Sequence, residues 1–149
     1  MPGDYINVGN PHLLFSGYKL GYKTKQDFIS WVNNKIDQDD RYSHFNISQY
    51  INLDKNLDKN LDLRLDSRLY SLCTVERGVG PTPSCSSAAL ALCNLLKYKH
   101  KLLNIKNLTI QMPGGDLDVK FSQVKNIKTN GAEENHDIVS FSAPVSKIV

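Results

Sequence analysis

The residue types that could do chemistry are concentrated in Glu76-Arg77-Gly78-Val79-Gly80-Pro81-Thr82-Pro83-Ser84-Cys85-Ser86-Ser87-Ala88-Ala89. A carboxylate and a guanidinium lead into a Gly/Pro turn, which delivers a cysteine to the mouth of an apolar helix. The first N–H groups of a helix lack intrahelical partners and carry partial positive charge. A thiol placed there is expected to have a lowered pKa, and the same donors can hold a carboxylate. This order of residues predicts a reactive thiolate beside an anion pocket. Gly78-Val79-Gly80 is no phosphate loop, because the Lys-Ser/Thr of a Walker motif does not follow and the dinucleotide spacing is missing.

Several elements must position that thiol. Tyr5-Ile6-Asn7-Val8 and Leu13-Leu14-Phe15 read as strands separated by Gly9-Asn10-Pro11-His12. Thr24 to Ile36 reads as a helix capped by Thr24, with Phe28, Ile29, Trp31, Val32 and Ile36 near one face. Phe45 to Ile51 suits a strand, and so does Leu65 to Val75, which carries Cys73. From about Ser84 to Tyr98 the sequence is apolar nearly all round, as expected of a buried helix. Leu108–Met112 and Leu117–Phe121 flank Pro113-Gly114-Gly115-Asp116, a hairpin signal, and Ile138–Phe141 makes a last strand. The sum is an α+β domain with a curved, mainly antiparallel sheet wrapped around a central buried helix.

Leucine recurs at 53, 57, 61, 65 and 69, within Asn52-Leu53-Asp54-Lys55, Asn56-Leu57-Asp58-Lys59 and Asn60-Leu61-Asp62-Leu63. The Asn and Asp content disfavours strand interiors, so 52–64 reads as a low-complexity insertion lengthening a hairpin.

The 149 residues make a single domain, 1–149, and 40% hydrophobic with 22% charged residues reads as soluble and globular. A net charge of +3 with no aromatic-interleaved basic stripe gives no reason to expect a nucleic-acid partner. Lys97, Lys99, His100 and Lys101 cluster at the end of the cysteine-led helix, where they complement its dipole. Cys73, Cys85 and Cys93 form neither a CxxC pair nor a set with neighbouring histidines, so no metal site and no disulfide framework is expected, and a reducing cytoplasm fits. No signal peptide and no apolar run of membrane-spanning length is visible, and no membrane partner is expected.

Glu76-Arg77-Gly78-x-Gly80-x-Thr82-x-x-Cys85, followed by small residues and an apolar helix, resembles the carboxy-terminal half of diaminopimelate epimerase. Val8-Gly9-Asn10-Pro11-His12 is similar to the family's Gly-Asn-Pro-His segment. Phe45-Asn46-Ile47 is similar to its Val-Asn-Val-type strand, and Met112-Pro113-Gly114-Gly115-x-Leu117 to its Leu-Pro-Gly-Gly-x-Leu hairpin. Phe141-Ser142-Ala143-Pro144 is similar to its closing Gly-Pro-Ala-type segment. These matches run in order from residue 6 to the end.

The resemblance implies half of a two-domain fold in which each domain curls a sheet around a helix and supplies one cysteine. The two thiols work on opposite faces of the substrate α-carbon, without a metal, pyridoxal phosphate or any other cofactor. They interconvert LL- and meso-diaminopimelate for lysine and peptidoglycan synthesis. Carried onto this chain, Cys85 is the catalytic thiol, His12 and Glu76 are catalytic partners, and Glu76 and Arg77 meet the substrate's ammonium and carboxylate. Asn10 and Asn46 match positions that bind its distal end, and the backbone at Ser86 and Ser87 would receive the α-carboxylate. Cys73 and Cys93 are expected to be core thiols. The sequence Cys85-Ser86-Ser87-Ala88 stands where the family has Cys-Gly-Thr-Gly or Cys-Gly-Ser-Gly.

The family's amino-terminal half, with its own Cys-Gly-Asn-Gly-type motif, has no counterpart here. The chain is therefore expected to be a fragment, the product of a divided gene or a decayed remnant, and to need a separate amino-terminal half as partner. A catalytically idle or binding domain of the same fold, and a racemase of another amino acid, are the two alternatives.

Overall fold

A computed structural model of the chain describes residues 3–21, 24–54, 67–102 and 105–143. Two short strands begin it: β1 (Asp4–Asn7) turns at Gly9-Asn10 into antiparallel β2 (Pro11–Ser16). A single turn of helix, α1 (Gly17–Leu20), and the longer α2 (Lys25–Gln38) then carry the chain across to β3 (Asn46–Asn52), which lies parallel to β2. The ends of α2 are set by local chemistry. The Thr24 hydroxyl accepts from the Asp27 N–H while the Asp27 carboxylate accepts from the Thr24 N–H, a reciprocal capping box.

Strand β4 (Ser67–Glu76) runs antiparallel to β3, and the three-residue β5 (Gly80–Thr82) folds back on its end. Helix α3 (Ser86–Asn94) continues into a π-helical turn over Leu95–Lys99 and leads to β6 (Asn107–Met112), which is parallel to β4. Two long antiparallel strands, β7 (Gly115–Thr129) and β8 (Ala132–Ser142), complete the order β1-β2-β3-β4-β6-β7-β8, with β5 attached to β4. The result is a mixed α+β domain with a curled, half-barrel sheet. Both parallel pairs are bridged by helical crossovers, as parallel pairing requires.

The side-chain alternation of the strands divides the interior in two. On one side Leu14, Tyr50, Tyr70, Leu72, Leu108, Ile110 and Val119 pack with Ala88, Ala89, Ala91, Leu92 and Cys93 of α3. On the other, Leu13, Phe15, Ile47 and Val75 pack with Phe28, Ile29 and Val32 of α2. Strands covered on both faces carry continuous apolar runs, and β2 accordingly buries His12, Leu13, Leu14 and Phe15 in succession.

The hairpin of β7 and β8 is longer than the apolar segments 117–121 and 138–141 alone predict. Its distal part is held by backbone pairing around the two-residue turn Asn130-Gly131, where φ is 53° and 80°. Asn-Gly with both residues in the left-handed region is the tight turn whose twist matches paired strands. Of the leucine repeat, Asn52 ends β3, Leu53 N donates to Leu69 O and the Asp54 carboxylate accepts from Leu69 N. Residues 55–64 of that insertion lie outside the described residues, as do Leu65 and Pro144. Among the described residues no helix is long and apolar enough to cross a membrane.

Candidate active site

Cys85 is the N-cap of α3, with extended backbone at φ −145° and ψ 104°. The turn that delivers it is fixed from two directions. First, Val79 N donates to Glu76 O, with Gly78 at φ 75°, so the chain reverses at once into β5. Second, the β6–β7 turn docks on it: Gly114 N donates to Pro83 O at 2.7 Å. A Cβ on Gly114 would lie 3.0 Å from Pro83 Cβ and 3.1 Å from Pro83 O, tighter than ordinary van der Waals contact, so the lack of a side chain there eases the close approach of the two turns.

Glu76 and Cys85 are brought together by this short hairpin. The Glu76 carboxylate accepts from the Thr82 hydroxyl at 2.9 Å, which fixes its orientation. The thiol lies just beneath the surface: Cys85 is 8% exposed, between the exposed Ser84 and Ser86. Burial pushes the Cys85 thiol above its ordinary pKa, with the Ser87 hydroxyl and Ala88 N–H pulling it down and the Glu76 carboxylate adding to the rise. This corrects the expectation of a depressed pKa. The helix terminus does favour the thiolate, but loss of hydration outweighs it. At neutral pH Cys85 is a thiol holding its proton.

His12 enters the same site from β2 and is completely buried. Its Nε2 lies 3.2 Å from Asn10 Oδ1 and 3.1 Å from Ser87 Oγ. Asn10 Nδ2 donates to Ser87 Oγ at 3.3 Å, and Ser87 Oγ lies 3.4 Å from Cys85 Sγ. Asn10, His12, Ser87, Cys85 and Glu76 thus form one polar cluster, set where β2, the end of β4 and the start of α3 converge. His12 Nδ1 is buried with no hydrogen-bond partner among the described residues. Burial holds the His12 pKa below the ordinary imidazole value, against the upward pull of Glu76.

That depression has a testable consequence for stability. The unfolded ring takes up a proton near its ordinary value, about 6.5, while the folded ring resists it. His12 therefore contributes stability that is present above that value and lost as pH falls through it towards the lower folded value. Denaturant unfolding at pH 7 and pH 5 is expected to show a decline on acidification that is shallower in His12→Gln. An equal decline in the variant would remove His12 as its source.

The other candidate residues are placed differently. Asn46, 7% exposed, uses its Oδ1 to accept from Arg77 N at 2.8 Å, so its side chain braces the turn after β4. The exposed Arg77 guanidinium reaches the His44 carbonyl at 3.4 Å, a long contact that leaves most of its donors facing outward. Ser86 is exposed at the first turn of α3. It lines a cleft of about 450 Å³ together with Ser84, Met112, Gly114, Gly115 and Leu117, so the cleft flanks Cys85 and reaches the β6–β7 turn. Cys93 is buried within α3 and its thiol is pushed up to about 12 by burial. Cys73 lines a separate cavity with Lys25 and Gln49.

Two side-chain hydroxyls in the site carry no role in the sequence reading. Thr82 lies inside the Glu76-to-Cys85 motif, and the hairpin register Thr74↔Thr82 and Glu76↔Gly80 brings its hydroxyl to the carboxylate. Ser87 was assigned through its backbone alone, yet its hydroxyl is the atom on which Asn10, His12 and Cys85 converge.

In comparisons with known proteins, no family model and no curated protein matches this chain.

Proposed function

We propose that this domain is the Cys85-bearing lobe of a diaminopimelate epimerase, with its sheet curled around α3 as one half of that family's fold. It would interconvert the LL and meso forms by two-thiol acid/base catalysis in a reducing cytoplasm. The observation that carries the reading is the Cys85 cluster. A thiol at the start of an apolar helix lies beside a clamped carboxylate and is linked through Ser87 to His12 and Asn10. All of these come from the segments that resemble the family, 75 residues apart in the case of His12 and Ser87.

The chemistry follows from the protonation state. Cys85 holds its proton at neutral pH and is suited to deliver it to the substrate α-carbon, becoming a thiolate as the new C–H bond forms. The proton on the opposite face must leave to a second base, which this reading assigns to the thiol of an amino-terminal half. In the reverse direction the two thiols exchange tasks. In this reading the exposed Arg77 guanidinium would present a planar fork to a carboxylate, and the first N–H groups of α3 would offer a second anion contact. Both proton transfers are assigned to cysteine, so the reading calls for no cofactor.

One observation favours a second reading. Asn10 and Asn46 both spend side-chain hydrogen bonds inside the domain, and Ser86 and Ala88 carry side chains where the family has glycine. An idle or binding domain of the same fold, or a racemase of another amino acid, would accommodate that. Exchange of the α-proton for deuterium separates the three. The chain, supplemented with the amino-terminal half of a diaminopimelate epimerase, is incubated with diaminopimelate, proline or glutamate in heavy water. The epimerase reading expects deuterium in diaminopimelate alone. Exchange in proline or glutamate instead would reassign the substrate, and exchange in none would leave the idle domain.

A further inference from the structure

We propose that the Ser87 hydroxyl relays a proton between Cys85 and His12. The inference deepens the epimerase reading and rests on Cys85 being an acid/base thiol.

Ser87 Oγ lies 3.4 Å from Cys85 Sγ and 3.1 Å from His12 Nε2, and it accepts from Asn10 Nδ2 at 3.3 Å. A hydroxyl has one proton to donate and two lone pairs. With Asn10 occupying one lone pair, Ser87 accepts one further proton and donates its own, and two arrangements join Cys85, Ser87 and His12 in one line. In the first, the Cys85 S–H donates to Ser87 and the Ser87 O–H donates to His12 Nε2. In the second, the His12 Nε2–H donates to Ser87 and the Ser87 O–H donates to the Cys85 thiolate.

The arrangements differ by one transfer. The thiol proton passes to Ser87 Oγ as the serine proton passes to Nε2, so thiol and imidazole become thiolate and imidazolium. No atom is gained or lost and no further reactant is needed. Asn10 Oδ1, 3.2 Å from Nε2, supports the second arrangement by accepting from the protonated ring.

Glu76 is the charged group that acts on both ends of this line, from the end of β4. The neighbouring positions on β1 and β3, Ile6 and Asn46, pair with His12 in register and carry no charge. The relay serves the direction in which Cys85 removes the α-proton: the resting thiol must first become a thiolate, and the Ser87 line lets His12 take up its proton without water reaching a buried sulfur.

The test uses the full chain without substrate or companion half, so it can fail while the epimerase reading stands, and the reverse. The alkylation rate of Cys85 by iodoacetamide is followed against pH, and the His12 ring is titrated by NMR. Ser87→Ala is expected to slow Cys85 alkylation about tenfold at neutral pH, as loss of a hydrogen bond to a charged sulfur requires. It should also move the His12 titration, while Ser87→Thr retains both wild-type profiles. His12→Gln is expected to change the Cys85 profile with Ser87 intact. The relay is overturned if Ser87→Ala leaves the His12 titration unmoved, or if His12→Gln leaves the Cys85 profile as it was.

Discussion

Cys85→Ser is expected to lower α-proton exchange on diaminopimelate by about 10²–10⁴-fold in the reconstituted two-half enzyme, the range for removing a positioned acid/base group. The substitution exchanges sulfur for oxygen with little change in shape, so the fold of α3 and its N-cap should survive. A serine hydroxyl is a far weaker acid than a thiol, even one whose pKa burial has raised. Near-ultraviolet circular dichroism equal to wild type would confirm that activity, not folding, was lost. A serine variant within a few-fold of wild type would place the acid/base chemistry elsewhere.

Leu92→Ala is expected to cost about 2–5 kcal/mol of stability, the range for truncating a buried leucine to alanine. Leu92 is fully buried on α3 among Leu14, Leu72, Ile110 and Val119. Its removal takes apolar area out of the contact between the helix and the sheet residues packed on it, and leaves a cavity there. Domains of this size are stable by only about 5–15 kcal/mol in total, so the loss is a large fraction. Urea unfolding should show the midpoint falling with an unchanged slope. Val79→Ala, on the exposed tip of the turn before β5, provides the contrast and should shift the midpoint little. Equal shifts for the two variants would refute the placement of α3 in the core.

Much of the architecture is legible in the sequence where hydrophobic periodicity and capping chemistry agree. Helix α2 begins at Lys25 beside the cap residue Thr24 because the hydroxyl and Asp27 satisfy each other's backbone partners. β2 and β3 come within a few residues of their apolar runs because their aliphatic and aromatic side chains are the ones the fold buries. The two-sided packing was less legible. An amphipathic helix such as α2 announces that it docks, but not on which face of a sheet whose strands are apolar on both. The polar distal half of the β7–β8 hairpin carries no periodic signal, yet Asn130-Gly131 is a turn signal strong enough to have extended both strands.

The site divides in the same way. Glu76 and Cys85 stand out by residue type and order and His12 through the family resemblance, and the fold brings the three into one cluster. The sign of the Cys85 shift was not readable, because a helix terminus is visible in sequence whereas the depth of burial at its cap is a tertiary property. The clamping of Glu76 by Thr82 and the convergence on the Ser87 hydroxyl depend on a hairpin register and on a contact across 75 residues, which local spacing does not specify.

The central claim is that substrate meets the Cys85 sulfur, and alkylation with and without diaminopimelate measures it most directly. With the amino-terminal half present, iodoacetamide should label Cys85 in the folded protein at a rate that climbs with pH through an apparent pKa above the ordinary thiol value, while Cys93 stays unlabelled. Diaminopimelate should slow the labelling of Cys85 and leave that of Cys73 unchanged. A Cys85 as inert as Cys93 in the folded protein, or one labelled equally fast with saturating diaminopimelate, would contradict the account.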